Sequence, residues 1–168
     1  LEALKNLDVS KSPGPDEILP IFLKSCSIQL APVLCDLFNF FVQKGKVPKA
    51  WKQANVVPIY KGGVKPKDDV GSYRPVSLTS ILCKVMEKLI SIRIMKYVDE
   101  HDILSDNQFG FRSGRNCEQM LVKFFHLLSK TLDDRKCNLV DGIFLDFSSA
   151  FDKVDHNILL SKLYSMGI

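Results

Sequence analysis

Acidic residues are missing from one long stretch of this 168-residue chain. From Lys44 to Lys67 there are seven lysines (44, 46, 49, 52, 61, 65 and 67) and no Asp or Glu. A stretch of one charge sign either attracts phosphate or forms a solvated lysine-rich face, and composition leaves both open. Cysteine is sparse and unpatterned. The five residues Cys26, Cys35, Cys83, Cys117 and Cys137 are odd in number and contain no Cys-x-x-Cys. That argues against a disulfide framework or a zinc site and fits a reducing, intracellular setting. No apolar run reaches the roughly 18 residues of a membrane-spanning helix, and the N-terminus has no signal-peptide pattern. There is no internal repeat and no low-complexity segment.

What is present suits one ordinary core. Hydrophobic residues make up 46% of the chain, charged residues 25%, and the mean hydropathy is +0.03. The net charge of +4 and pI near 8.8 are compatible with nucleic acid without requiring it. The chain opens on a helical pattern (Leu1, Leu4, Leu7) and ends at Gly167-Ile168, just after an amphipathic helix. Both ends read as cuts through a larger protein.

Periodicity and punctuation predict the elements. Lys11 to Asp16 is a turn-rich loop, followed by a helix over Glu17 to Cys26. A longer helix runs from Ser27 to Lys44, tolerating Pro32 near its start and stopping at Gly45. Its Leu34, Leu37, Phe38, Phe41 and Val42 form a core stripe. Gln53 to Tyr60 reads as a strand with Pro58 near its end, and Lys61 to Gly71 as a polar glycine-containing loop. Thr79 to Val98 is a helix capped by Thr79 or Ser80. Gln108 to Gly114 is a loop. Asn116 to Leu132 is a helix with Met120, Leu121, Phe124, Phe125 and Leu128 inward. Leu139 to Phe147 reads as a buried strand, and Asp155 as the N-cap of a helix burying Ile158, Leu159 and Leu163. The class is α+β, helix-rich with few strands.

Chemistry concentrates in Gly142-Ile-Phe-Leu-Asp-Phe-Ser-Ser-Ala-Phe-Asp-Lys-Val-Asp-His156. An apolar run ends abruptly at Asp146. A buried carboxylate needs a cation or donors, and a divalent metal suits a hard oxygen ligand. A strand-end or turn residue is the plainer alternative. Ser148, Ser149 and Ala150 are small and leave the backbone open to another molecule. Phe151 then adds a bulky ring, either as a wall or as core packing. Upstream, Lys61 stands where a strand meets Gly62-Gly63, and Arg74 precedes Pro75. A guanidinium grips phosphate with two parallel hydrogen bonds, so the pair suits a triphosphate clamp. As lone residues, both also read as exposed loop cations.

The segment around Asp146 resembles motif A of reverse transcriptases, in particular those of non-LTR (LINE-type) retrotransposons. Four further blocks match in order. Lys11-Ser-Pro-Gly-Pro-Asp16 is similar to that family's extra N-terminal motif. Trp51-Lys-x-Ala-x-Val-x-Pro-Ile-x-Lys61 and Tyr73-Arg-Pro-Val-Ser-Leu78 look like its first two fingers motifs. Gln108-Phe-Gly-Phe-Arg-Ser-Gly-Arg115 resembles the next block, with Ser113 where the family often has Pro and Asn116 where it often has Ser.

The resemblance implies a right-hand polymerase fold cut short: fingers with an N-terminal extension over 1–138, and the start of the palm over 139–168. It implies an RNA-directed DNA polymerase that adds deoxynucleotides to a DNA primer on an RNA template. Two Mg²⁺ ions about 3.5–4 Å apart, with Mn²⁺ as an alternative, carry that reaction. Asp146 would ligate both and the Phe147 carbonyl one. Lys61 and Arg74 would contact the incoming phosphates, as would the backbone N–H groups of Ser149 and Ala150. Phe151 would stand where a ribose 2′-hydroxyl would sit. Arg112 and Arg115 would pair with nucleic-acid phosphates. Asp152 reads as a turn or ion-pair residue.

That family's remaining ligands lie in a downstream Tyr-x-Asp-Asp hairpin. Asp68-Asp69 and Asp133-Asp134 both precede Asp146, and no Asp-Asp pair follows it. One carboxylate does not hold two Mg²⁺ ions, so these residues alone are expected to be inactive. The remaining palm and thumb of a parent polyprotein are implied as partners. The alternative is a non-catalytic nucleic-acid-binding remnant of a truncated element. The implied location is the nucleus, the cytoplasm or both, with no membrane partner. A palm with one strand should leave apolar surface exposed and promote association.

Overall fold

The computed structural model describes residues 1–64, 66–133, 139–147 and 150–168. Lys65, Asp134, Cys137, Ser148 and Ser149, named above, lie outside the described residues, as does the domain boundary at 138. The chain divides into two compact units, Leu1–Arg93 and Ile94–Ile168.

The first unit begins with α1 (Glu2–Lys5) and α2 (Pro20–Ser25). The helix expected over Glu17 to Cys26 is shorter because Glu17 lies at φ +55° and its N–H returns to the Gly14 carbonyl in a turn. Pro20 then occupies the first helical position, where its missing N–H costs no hydrogen bond. α3 (Ser27–Lys44) has the predicted bounds and the predicted stop. Gly45 is left-handed, the Lys46 N–H reaches the Phe41 carbonyl at 3.2 Å, and the Gly45 N–H reaches Val42 at 3.1 Å. This Schellman closure needs the freedom of glycine.

The core of this unit comprises Leu4, Leu23, Leu34, Phe38, Trp51, Ile81, Val85 and Met86. Leu37 and Phe41 pack against it, whereas Val42 is exposed, at the edge of its predicted stripe. A 3₁₀ turn at Lys49–Lys52 carries Trp51, whose ring meets Phe38 at 6.0 Å and Phe41 at 5.2 Å, both edge-on. Burying each such ring stabilises by about 1.5–3 kcal/mol.

β1 (Ala54–Tyr60) pairs antiparallel with β2 (Tyr73–Thr79), from Ala54 opposite Thr79 to Tyr60 opposite Tyr73. Pro58 faces Pro75 across the ladder. With two strands, each is an edge, where a missing donor is tolerated. Tyr73–Leu78, which stands out in the sequence only as a motif, forms a strand here. The connecting loop is tied down. Tyr73 Oη donates to the Lys67 carbonyl at 2.9 Å, and Asp69 accepts from the Gly71 N–H at 3.0 Å. α4 (Ile81–Glu100) follows β2. Ser80, one of the two expected caps, accepts the Cys83 N–H at 3.4 Å.

The second unit holds the end of α4, then α5 (Cys117–Leu132) and α6 (His156–Ser165). Asn116 and Gln119 form a reciprocal capping box at α5. Asp155 caps α6 as expected, accepting from the N–H groups of Asn157 and Ile158. The core predicted here is not formed. Met120, Leu121, Phe125, Ile158 and Leu159 are exposed, and only Phe124, Leu128 and Leu163 are half-buried. Leu139 to Phe147 is not a buried strand either. The one ladder among the described residues is β1–β2, and Ile143, Phe144 and Leu145 are exposed. An apolar pattern specifies a strand only when neighbouring strands pair with it and a layer covers it.

Candidate active site residues

The residues assigned to the site fall into both units, and each group has its own geometry. In the first unit, Ile59 pairs with Arg74 across the ladder, so the two side chains share a face. Lys61 lies two residues beyond Ile59. Its N–H donates to the Ser72 carbonyl at 2.9 Å, continuing the ladder by one more bond. Lys61 stands just past the last paired residue, Tyr60, and continuing the strand alternation by one residue puts it on the face that carries Ile59 and Arg74. Both side chains are exposed. Lys61 Nζ donates to the Gly71 carbonyl at 2.6 Å, which anchors the lysine against its own loop. Arg74 takes part in none of the ion pairs among the described residues. Two cations side by side, one of them a planar fork, suit adjacent phosphates.

In the second unit, Asp146 and Phe147 lie in the exposed segment that follows α5. Among the described residues, no three His, Cys, Asp or Glu side chains converge as a metal site. Ala150 and Phe151 begin a turn, and Phe151 is 78% exposed. The ring of Phe151 meets that of Phe111 edge-on, with centroids 6.1 Å apart and planes at 84°. Phe111 has φ +57°, uncommon for a bulky residue. In the sequence Phe111 is one residue of the Gln108–Arg115 motif, with no pattern that marks a role for it. No periodic signal marks a left-handed aromatic residue.

Arg112 and Arg115 follow Phe111 in the chain and tie its loop back to residues 104–106. Arg112 donates to the carbonyls of Leu104 at 3.3 Å and Ser105 at 3.0 Å, and its side chain is only 17% exposed. Arg115 donates to the Asp106 carboxylate at 2.9 Å and lies 5.4 Å from the Phe109 ring centroid. Lys123 approaches the same ring at 5.7 Å and donates to Asn107 at 2.7 Å. Asp106, absent from the sequence reading, is the hub that both arginines share.

Residues 65–168 match the family model described as reverse transcriptase (RNA-dependent DNA polymerase). The chain belongs to the reverse transcriptase family. Over 164 residues this reverse transcriptase segment is 37% identical to the probable RNA-directed DNA polymerase from transposon BS of Drosophila melanogaster. The match covers 97% of this chain and 18% of that protein. It is 35% identical over 166 residues to the RNA-directed DNA polymerase from mobile element jockey of the same species, covering 96% and 18%. A Pol polyprotein from the type-1 retrotransposable element R1 of Bradysia coprophila is 26% identical over 162 residues, covering 96% and 16%. This segment thus spans about 18% of the length of the first two curated relatives it matches. The non-LTR resemblance drawn from the five motifs agrees with these retrotransposon relatives. No helix among the described residues is long and apolar enough to cross a membrane.

Proposed function

We propose that this chain supplies the fingers and the first palm portion, 1–138 and 139–168, of a right-hand RNA-directed DNA polymerase. Its partners are an RNA template, a DNA primer, deoxynucleoside triphosphates and the remaining palm and thumb. The observation that carries the reading is the shared face of Lys61 and Arg74 at the end of the β1–β2 ladder, in a chain of this family. Arg74 grips one phosphate through two N–H donors. Lys61 leaves the Gly71 carbonyl to neutralise a neighbouring phosphate, trading a neutral acceptor for a charged one.

The donors around Asp146 fit a divalent metal in kind. A carboxylate and the Phe147 carbonyl are hard oxygen ligands, suited to Mg²⁺ or Mn²⁺. They do not fit in number, since each ion needs several such ligands. When bound, the metal pair supplies charge stabilisation at the transferring phosphoryl group. The residues of this chain hold their share of it and position the nucleotide. The Ala150 backbone N–H meets phosphate, a role the motif also gives to Ser149 outside the described residues, and Phe151 excludes a 2′-hydroxyl from the sugar position. Arg112 and Arg115 first hold their loop. Their guanidinium groups have five donors each, which leaves some to meet template or primer phosphates. The setting is intracellular, in nucleus or cytoplasm.

The 168 residues alone are inactive on this reading, because they carry one of the required carboxylates. The test exchanges this chain into a full-length jockey polymerase in place of the matching segment and measures primer extension on RNA. Arg74→Ala and Lys61→Ala each raise the KM for deoxynucleotides about ten- to a hundredfold. An unchanged KM in both variants rules out the phosphate clamp. The second reading is a non-catalytic nucleic-acid-binding remnant. It predicts nucleic-acid binding without synthesis, even in the exchanged polymerase.

A further inference from the structure

From Leu37 to Lys67 the chain has no acidic residue, and the structure makes part of this stretch rigid. The Schellman closure fixes Lys44, Gly45 and Lys46 at the end of α3. Trp51, buried against Phe38 and Phe41, pins the turn that carries Lys49 and Lys52 to the same helix. All four lysines are exposed, and none joins an ion pair among the described residues. Four like charges within nine residues, two at the end of α3 and two on the following turn, repel each other, and a polyanion relieves that repulsion.

The same place offers an aromatic face. Phe40 is 52% exposed, edges onto Phe41 at 5.9 Å, and has Lys44 Nζ 5.8 Å from its centroid. Phe40, Phe41, Lys44, Lys46, Val47 and Pro48 line an open groove of about 370 Å³. A half-exposed aromatic ring with Lys44 against it and Lys46 in the same groove is the chemistry of a base-stacking platform beside a phosphate track.

We propose that the α3 end and the Lys49–Lys52 turn bind single-stranded nucleic acid, with Phe40 stacking a base and Lys44, Lys46, Lys49 and Lys52 following the backbone. This deepens the polymerase reading by placing a strand contact away from Lys61, Arg74 and Asp146. It is tested without metal or nucleotide, so an inactive polymerase leaves it standing.

The test titrates the 168-residue chain into a fluorescein-labelled oligouridine of about 20 nucleotides and follows anisotropy from about 50 to 200 mM salt. Converting Lys44, Lys46, Lys49 and Lys52 together to Gln weakens binding at least about tenfold and flattens the salt slope by about 2 to 3. Converting Lys5, Lys84, Lys88 and Lys96 to Gln removes the same charge elsewhere and changes binding less than about threefold. Phe40→Ala weakens binding about fivefold or more with the slope unchanged, and Phe40→Trp restores it. Thermal melts confirm that each variant is folded. Equal losses in the two lysine sets, or an unchanged affinity in Phe40→Ala, overturn the proposal. Tighter binding to phosphatidylserine vesicles than to the oligonucleotide also overturns it, in favour of a membrane surface.

Discussion

The buried Ser80 hydroxyl donates to the Asp16 carboxylate at 2.5 Å, joining residues 64 positions apart. This bond makes Lys11–Asp16 a brace at the junction of β2 and α4. Gly14 sits so close to that junction that a Cβ there would stand 2.5 Å from the Ser80 nitrogen and the Thr79 carbonyl carbon. Backbone atoms do not yield cheaply. Gly14→Ala is expected to destabilise the chain by about 1–3 kcal/mol. Asp16→Ala leaves a buried hydroxyl without its acceptor and costs about 1–3 kcal/mol. Urea denaturation reads both as lower midpoints, and an unchanged midpoint in Gly14→Ala contradicts the brace.

The helices were legible where local chemistry decides them. Gly45 ends α3, Asn116 opens α5, and Asp155 opens α6, because each cap is satisfied within a few residues. The first-unit core was legible for the same reason, with Leu34 and Phe38 buried on one helical stripe. β2 was not, since Pro75 and a short run hide a strand that its pairing with β1 creates. Ile143 to Leu145 carried a strand pattern that the described fold does not satisfy, because pattern alone supplies no neighbour. Lys61 and Arg74 stand out in the sequence as single cations, but their placement at one end of the β1–β2 ladder follows only from the strand pairing. Asp106 and Phe111 act through loop geometry that leaves no periodic trace.

The edge-on contact between Phe111 and Phe151 makes Phe111 a support for the proposed sugar wall. In the exchanged polymerase, Phe151→Val is expected to raise ribonucleotide incorporation relative to deoxynucleotide at least about tenfold. Phe111→Ala shifts the same ratio in the same direction by a smaller factor, and Phe111→Tyr restores it. Competition primer extension measures the ratio. A ratio unmoved by Phe151→Val contradicts the wall, and one unmoved by Phe111→Ala contradicts the support.

Burial pushes the Cys83 thiol up to about 11 from an ordinary 9.0, aided by the hydrogen bond and charge of Glu87. The folded thiol holds its proton where the unfolded one has lost it. Its contribution to stability is therefore complete below about pH 9 and lost as pH rises through 11. Iodoacetamide at pH 8 should modify the exposed Cys35 and Cys117 and largely spare Cys83, as read by peptide mass spectrometry. Rapid modification of Cys83 in folded chain contradicts this.

Neither α5 nor α6 buries a side chain, and Phe125, Ile158, Leu160 and Tyr164 face outward. Apolar surface of this extent favours self-association. Sedimentation velocity should give a weight-average mass that rises with concentration above the 19.0 kDa of one chain. A concentration-independent monomer with one sharp unfolding transition contradicts the expectation.

The most direct measurement of the central claim is primer extension on an RNA template by the exchanged polymerase, with and without Asp146→Ala, beside the 168-residue chain alone. The account predicts DNA synthesis from the exchanged polymerase, a loss of about a thousandfold or more on Asp146→Ala, and none from the isolated chain. Undiminished synthesis in Asp146→Ala, or Asp146-dependent synthesis by the isolated chain, would contradict it.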